Sequence, residues 1–409
     1  MKIFRHIPVT IKTNTSVACL AYFVTMALVT LGPMPKGVDA FQSSAFGISS
    51  QTNRPTIPFY KTTNEESDST SAQWHHPVTN QKEVDTTSQP LTLTRFMQEA
   101  ARKHPQQAEL ESIITSLQHP CKEISHLVRT AALTGHTGLE GDGGSINFQG
   151  EEQKKLDVLA NEIMKDAFSW TGKIGTIASE EEDEPVPVLD HIDVGPYTAV
   201  FDPLDGSSNI DAGIAVGTIF GIFKREDNEK NGERSPLEDT LQPGSQLVAA
   251  GYCLYSSATT LVFTTGDGVN GFTLDEKVGE FVLTHPNMRI PERGNTYSFN
   301  EANRWDWDQP LQNYISDIQQ GLGETETQYT SRYVGSMVAD VHRTLLYGGI
   351  FGYPADSKNP NGKLRLLYEA APMSFLVEQA GGVSVTGDND RIMEIEPEKV
   401  HERVPIICK

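Results

Sequence analysis

The run Phe201-Asp202-Pro203-Leu204-Asp205-Gly206-Ser207-Ser208-Asn209-Ile210-Asp211 constrains this chain more than any other segment. It closes an apolar stretch with two carboxylates three positions apart and then supplies small hydrogen-bonding residues. Thr198 to Phe201 predicts a short buried strand, and Pro203 with Asp205-Gly206 predicts a turn at its end, where open α/β sheets bind ligands. Asp202 and Asp205 then converge beyond the strand. Hard cations such as Mg²⁺ take oxygen ligands, commonly one or two carboxylates together with substrate phosphates. Backbone N–H groups at Gly206 to Ser208 suit a phosphate. A lone Asp-Gly-Ser triplet would read as an ordinary Asx-turn; the whole run reads as a metal-and-phosphate site.

Acidic and basic residues recur at other predicted element ends. Helical periodicity covers Gln153 to Trp170, with Leu156, Leu159, Ile163 and Ala167 on one face. Asp157 lies about a hundred degrees round from Leu156, at the border of that stripe, which by itself reads as a solvated helical residue. Ile174 to Ser179 predicts a short strand ending at Glu180 and Glu181, the start of a four-acid run to Asp183. Such runs are usually solvated loops. Glu369 precedes Pro372, a residue suited to the first turn of a helix reaching Gly381. Asn361-Gly362-Lys363-Leu364-Arg365 sets two cations around a turn, where Lys363 would act as a point charge near a phosphate.

Taken together, these segments resemble the fructose-1,6-bisphosphatase branch of the Mg²⁺-dependent sugar and inositol phosphatase superfamily. The resemblance runs from about Leu91 to Lys409 and includes Gly150 to Asn161, Ser179-Glu180-Glu181, Arg332 to Gly349 and Asn361 to Glu369, in the family's order. It implies an α/β fold, a layered αβαβα sandwich, with an amino-terminal domain over 91–285 and a carboxy-terminal one over 286–409. The active site would lie in the cleft between them. The implied reaction is hydrolysis of the 1-phosphate of fructose 1,6-bisphosphate with two or three Mg²⁺ ions, in the Calvin cycle or gluconeogenesis. Sedoheptulose-1,7-bisphosphatase shares the fold, although Asn209-Ile210-Asp211 favours the fructose enzyme. A non-catalytic sugar-phosphate sensor is the rival of another class, and the presence of every expected acid counts against it.

By the same resemblance, Glu180, Glu181, Asp202, the Leu204 carbonyl, Asp205 and Glu369 hold metal. Asp157 and Glu181 orient or deprotonate water, and Glu151 lies in the family's mobile catalytic loop, with metal contact open. Glu182 and Asp183 are expected as surface charge. Asp205, Gly206, Ser207 and Ser208 hold the transferred phosphate. Asn300, Tyr333, Tyr353, Lys363 and Arg365 bind the sugar and its other phosphate. Arg332 matches an arginine that reaches a neighbouring subunit's site, which implies a homotetramer. Asn303 stands where relatives often have Tyr; it can donate from a shorter reach, so weaker phosphate affinity is expected. Animal relatives bind AMP through a segment that aligns with Gln106 to Glu111. Glu111 would repel a phosphate and Pro196 replaces a phosphate-binding Lys beside Tyr197, so AMP inhibition should be weak or absent.

At 409 residues the chain has room for two ordinary domains. A formal charge of −21 argues against nucleic acid or anionic membrane as a partner. A sugar bisphosphate would be repelled too, unless cations reverse the field locally. Lys2, Arg5 and Lys12 precede an apolar run from Val17 to Leu31, then Val38-Asp39-Ala40, so 1–40 reads as a signal peptide, with a signal anchor as the alternative. Segment 41–64 has Ser, Thr, Arg54 and Lys61 but no acid, as in a transit peptide, and Phe41 follows the predicted cut. The pair resembles the bipartite presequence of algae with complex plastids, so a plastid address is expected, with secretion as the rival and no membrane span in the mature chain. Segment 65–90 is a polar linker. Beyond Cys19, the chain has only Cys121, Cys253 and Cys408, which makes a disulfide framework improbable. Plant chloroplast relatives carry a thioredoxin-reduced cysteine loop in the region of Lys224 to Gln246. That segment here has no cysteine, so the switch should be absent. Cys253, in the alternating run Val248 to Phe263, is expected to be buried.

Overall fold

Apolar alternation divides the chain after Pro90 into two sheets separated and flanked by helices. The computed structural model describes residues 90–105, 108–139, 154–188, 195–225 and 235–409. The presequence, the linker up to residue 89, Glu151, Gln106 and Gln107, and 226–234 of the expected cysteine-free loop lie outside the described residues.

Four helices come first: α1 (Leu93–Lys103), α2 (Ala108–Ser116), α3 (Gln118–Thr134) and α4 (Lys155–Ser169). The first sheet is built from β1 (Ile174–Ser179), β2 (Val186–Pro187), β3 (Tyr197–Asp205), β4 (Val216–Lys224), β5 (Leu247–Tyr255), β6 (Thr259–Thr264), β7 (Val269–Asp275) and β8 (Glu280–Met288). A short helix α5 (Pro236–Thr240) joins β4 to β5. The strand order is β2-β1-β3-β4-β5-β6-β7-β8, antiparallel throughout except that β1 and β3 run parallel. The remainder supplies β9 (Thr296–Ser298), α6 (Gln309–Gln320), β10 (Thr330–Ser331), α7 (Met337–Tyr347), β11 (Ile350–Tyr353), β12 (Leu364–Arg365), α8 (Ala371–Gln379), β13 (Ser384–Val385), β14 (Arg403–Val404) and β15 (Ile406–Cys408). The second sheet has the order β10-β9-β11-β15-β13, and β12 pairs with β14 in a separate ribbon.

The layers follow from which side chains share a core. One face of the first sheet (Ala199, Phe201, Phe220, Phe263) buries against α1 to α4 through Leu93, Ile113, Ile124 and Phe168. Its other face (Val200, Ile219, Tyr252, Val262) buries against α7 and α8, whose far sides meet Phe351, Ile406 and Cys408 of the second sheet. Helix α6 covers that sheet's outer face through Ile315 and Ile318 against Tyr297 and Ile350. Each such buried Leu, Ile or Phe contributes about 1.5–3 kcal/mol. The result is the expected α/β sandwich in the order αβαβα.

Several local expectations need correction. Helix α4 buries Leu156, Asp157, Ala160, Asn161, Met164 and Phe168, while Leu159 is exposed. Its inward stripe is thus turned relative to the predicted one and carries Asp157 within it, because the helix packs under β1 and β3 rather than at a surface. The alternating run Val248 to Phe263 forms a hairpin, β5 and β6, and Cys253 is fully buried in β5, as expected. Strand β3 does not stop at Phe201 but continues through Pro203 to Asp205. Pro is tolerated there because the ladder is already interrupted at that point.

Candidate active site

Parallel pairing of β1 with β3 sets Ser179 opposite Phe201, and the Glu180 N–H donates to the Phe201 carbonyl at 3.2 Å. Both strands therefore end at the same edge, and the acids after β1 meet those of β3. Asp202 pairs with Ile219 and Asp205 with Gly217, so three steps along β3 match two along β4. Strand side chains alternate faces, so residues three apart would point oppositely. The extra residue of this bulge restores the parity and brings both aspartates to one side. Gly206 then turns the chain at φ 76° and approaches Ser336 so closely that a Cβ would lie 2.6 Å from the Ser336 Cβ. A 3-10 turn over Ser207–Ala212 follows.

Glu369 arrives from the opposite layer. It lies in a π-type turn, Leu366–Ala370, that runs directly into α8. Oxygens of Asp202, Asp205 and Glu369 lie within 4.8 Å of one another, and the three residues are only 2%, 6% and 3% exposed. Burial pushes Asp202 well above the ordinary carboxylate range, and Glu180, Asp205 and Glu369 add to the effect. Burial likewise raises Asp205 to about 6, against hydrogen bonds from Ser336 and Val338 that favour its ionised form. Glu369 is pushed up to about 8 by burial, opposed by Arg365. The Arg365 guanidinium sits 3.0 Å from Glu180 and 4.0 Å from Glu369, and the Arg365 N–H donates to Glu369 at 2.5 Å. A buried set of hard oxygens with self-opposing charge fits divalent cations of the Mg²⁺ type.

Beside these acids opens a cavity of about 510 Å³, within the range of small-molecule sites. Of the expected residues, Glu180, Asp202, Leu204, Asp205 and Glu369 line its acidic end, with Gly206, Ser207 and Ser208 next to them. Tyr333, Tyr353, Lys363 and Arg365 line the rest, with the Lys363 ammonium 5.9 Å over the Tyr353 ring. Asp157, Glu181, Asn300 and Arg332 are not among the lining residues. Asp157 is buried behind the wall: its carboxylate accepts the Lys154 N–H at 2.9 Å and a hydrogen bond from Ser207, and burial raises it to about 8. Asn300 caps the 3-10 turn Glu301–Asp306, its side chain accepting from the Ala302 N–H at 3.2 Å. Asn303 donates to Asp356 at 3.4 Å. Arg332 is exposed, and its side chain donates to the Ser331 carbonyl at 2.8 Å.

Two features escaped the sequence reading. Lys154, three residues before Asp157, lines the cavity and pairs with Asp211 at 2.9 Å; its place ahead of a helical acid was the available signal. Glu182, expected as surface charge, binds Lys165 at 2.6 Å and accepts from Asn161 at 2.9 Å. It thereby ties the acidic run to α4. Asp183 is exposed, as expected.

Family profiles described as the amino- and carboxy-terminal domains of fructose-1,6-bisphosphatase match residues 91–286 and 290–409. The chain belongs to the fructose-1,6-bisphosphatase family. It is accordingly an enzyme, a phosphoric monoester hydrolase. It is 49% identical over 317 residues to a cytosolic fructose-1,6-bisphosphatase of Oryza sativa subsp. indica, covering 77% of this chain and 91% of that one. It is 48% identical over 326 residues to the chloroplastic fructose-1,6-bisphosphatase 1 of Arabidopsis thaliana, covering 77% of each. The crystal structure of Leishmania major fructose-1,6-bisphosphatase in holo form superposes with a TM-score of 0.71 at 41% identity, over 78% of this chain and 95% of that one. Relatives thus include both cytosolic and chloroplastic proteins. No helix among the described residues is long and apolar enough to cross a membrane.

Proposed function

We propose that this chain hydrolyses fructose 1,6-bisphosphate at its 1-phosphate, releasing fructose 6-phosphate and phosphate, with two or three Mg²⁺ ions per site. The observation that carries this reading is the convergence of Asp202, Asp205 and Glu369 beside Ser207 and Ser208 in one cavity. Asp202, Asp205, Glu369, Glu180, Glu181 and the Leu204 carbonyl would hold the ions, which supply Lewis-acid charge to the phosphate and activate water. Ser207, Ser208 and the Gly206 turn hold the transferred phosphoryl group. Asp157 orients Ser207 and, with Glu181, receives the proton lost by the attacking water; Glu151 serves beside them. Lys363, Tyr353, Tyr333 and Asn300 take the sugar and its distal phosphate, Arg365 offsets charge between the two ends, and Arg332 reaches a neighbouring site in a homotetramer. The site then falls between domains 91–285 and 286–409.

The reading extends to regulation and address. The segment Lys224 to Gln246 has no cysteine, and Cys121, Cys253 and Cys408 are buried free thiols, which supports the absence of a thioredoxin switch on that segment. Weak AMP inhibition is supported by Glu111, which would repel a phosphate, and by Pro196, which stands beside Tyr197 in place of a phosphate-binding Lys. Segments 1–40 and 41–64 direct the chain to a plastid. The test is phosphate release by the purified chain from fructose 1,6-bisphosphate and sedoheptulose 1,7-bisphosphate across a Mg²⁺ titration, with EDTA, AMP and dithiothreitol arms. Mg²⁺-dependent release with fructose preference, indifferent to reductant and AMP, is expected. Sedoheptulose preference would overturn the substrate, and absence of cation-dependent release would favour a sensor.

A further inference from the structure

We propose that the buried Asp340–Arg343 ion pair is a positioning element that shapes the segment from Arg332 to Ser336. On this view the pair sets affinity for the sugar-phosphate end of the substrate rather than the rate of cleavage. The inference rests on the function proposed above. Both residues lie in the first two turns of α7 and meet at 2.5 Å, with Asp340 fully buried. The Asp340 carboxylate accepts the Val334 N–H at 3.0 Å and the Gly335 N–H at 3.1 Å. Arg343 donates to the Arg332 carbonyl at 2.9 Å and to the Ser298 hydroxyl. Three backbone groups of one short segment are thus held by two side chains one turn apart, and Tyr333, which lines the cavity, is enclosed between the held positions.

The far end of the segment is fixed differently. The Ser336 hydroxyl donates to Asp205 at 2.6 Å and the Val338 N–H to the same oxygen at 2.9 Å. One end is therefore anchored on the acidic cluster and the other on Asp340 and Arg343, so loosening the second pair frees Arg332 and Tyr333 without releasing Asp205. Ser298 extends the same grip to β9, two residues before Asn300. An ion pair that merely stabilised α7 would sit on the helix surface. This one instead spends its hydrogen bonds on backbone outside the helix, and charge-assisted bonds of that kind are the strong ones.

Asp340→Asn and Arg343→Lys separate these readings. Each keeps the residue's approximate size while weakening the charge-assisted contact between them. The measurements are kcat and KM for fructose 1,6-bisphosphate, competitive inhibition by fructose 6-phosphate, the Mg²⁺ activation midpoint and the melting temperature. Both variants should raise KM and the fructose 6-phosphate inhibition constant about tenfold, the scale of one or two lost charged hydrogen bonds. Turnover should stay within about threefold and the Mg²⁺ midpoint should not move. The double variant should be no worse than the poorer single one, since the pair acts as a unit. A lowered melting temperature with unchanged KM, or a fall in kcat at constant KM, overturns the proposal. Should Asp340→Asn yield no folded protein, Ser298→Ala, which removes one Arg343 contact and leaves the buried pair intact, must still raise KM. Failure of the underlying functional reading would show already in the unmodified chain, as no release from this substrate.

Discussion

At the scale of single residues, the tightest constraint is at Gly206. Its φ of 76° is one that side chains rarely adopt, and a Cβ would strike the Ser336 Cβ at 2.6 Å. Left-handed backbone costs a non-glycine residue about 1–2 kcal/mol, and forcing a methyl into filled space adds about 1–3. Gly206→Ala should therefore lower stability by about 2–5 kcal/mol in urea titrations. Because Ser336 holds Asp205, phosphate release should fall with it. Glu369→Gln probes the other wall. The amide keeps the shape and removes a charge, so the Mg²⁺ concentration for half-maximal activity should rise by at least about tenfold, the lower bound seen even for groups that only support metal ligands. An unchanged midpoint would remove Glu369 from the ligand set.

Among elements, α7 does two things at once: its first turn receives Asp205, and its middle closes the layer between the sheets. His342 lies there with the Tyr252 hydroxyl 2.7 Å from its Nδ1. Burial, with some help from His285, lowers it from 6.5 to about 4. The folded chain therefore takes up this proton later than the unfolded chain as pH falls. Stability from the neutral imidazole is whole above about pH 6.5 and is lost toward pH 4, by at most about 3 kcal/mol. The buried carboxylates act in the opposite sense, since acids raised by burial are relieved by protonation. The comparison must therefore be between the parent and His342→Asn, which retains an acceptor for Tyr252. The stability of the parent relative to this variant should decline between pH 6.5 and 4; parallel pH curves would refute the assignment.

Across the whole molecule, strands from one layer and a helical turn from another carry like charge into a single buried cluster, so cation binding and folding are linked. The melting temperature should rise with Mg²⁺, by the equivalent of about 2.7 kcal/mol at a hundredfold excess over the dissociation constant, and EDTA should abolish the rise. Glu369→Gln should show a smaller gain. Assembly is open to a complementation test, because Arg332 is exposed and is not among the described residues that line the cavity of its own chain. Chains carrying Arg332→Ala and chains carrying Asp205→Asn should each be poorly active alone. When mixed, unfolded and refolded together, they should recover activity through sites that draw an intact Arg332 and an intact Asp205 from different subunits. Refolded mixtures no better than their parts would confine Arg332 to a role within one chain.

The sequence by itself determined the family, the αβαβα layering and most of the cavity lining, because the carboxylates, serines and turn glycines are local features that survive in order along the chain. The strand before Asp202 and the acids after β1 were legible for the same reason. What only the tertiary structure decided depends on partners distant in sequence. The inward face of α4, with Asp157 buried in it, is set by the strands packed against that helix. The common side of Asp202 and Asp205 comes from a bulge defined against β4, since a one-residue change of register is invisible in β3 alone. Glu182 and Lys154 take their roles from Lys165 and Asp211, 17 and 57 residues away, and periodicity does not report pairs formed by folding. The grip of Asp340 and Arg343 on the segment before α7 belongs to the same class, because it is made of backbone groups whose positions exist only once the layers have closed.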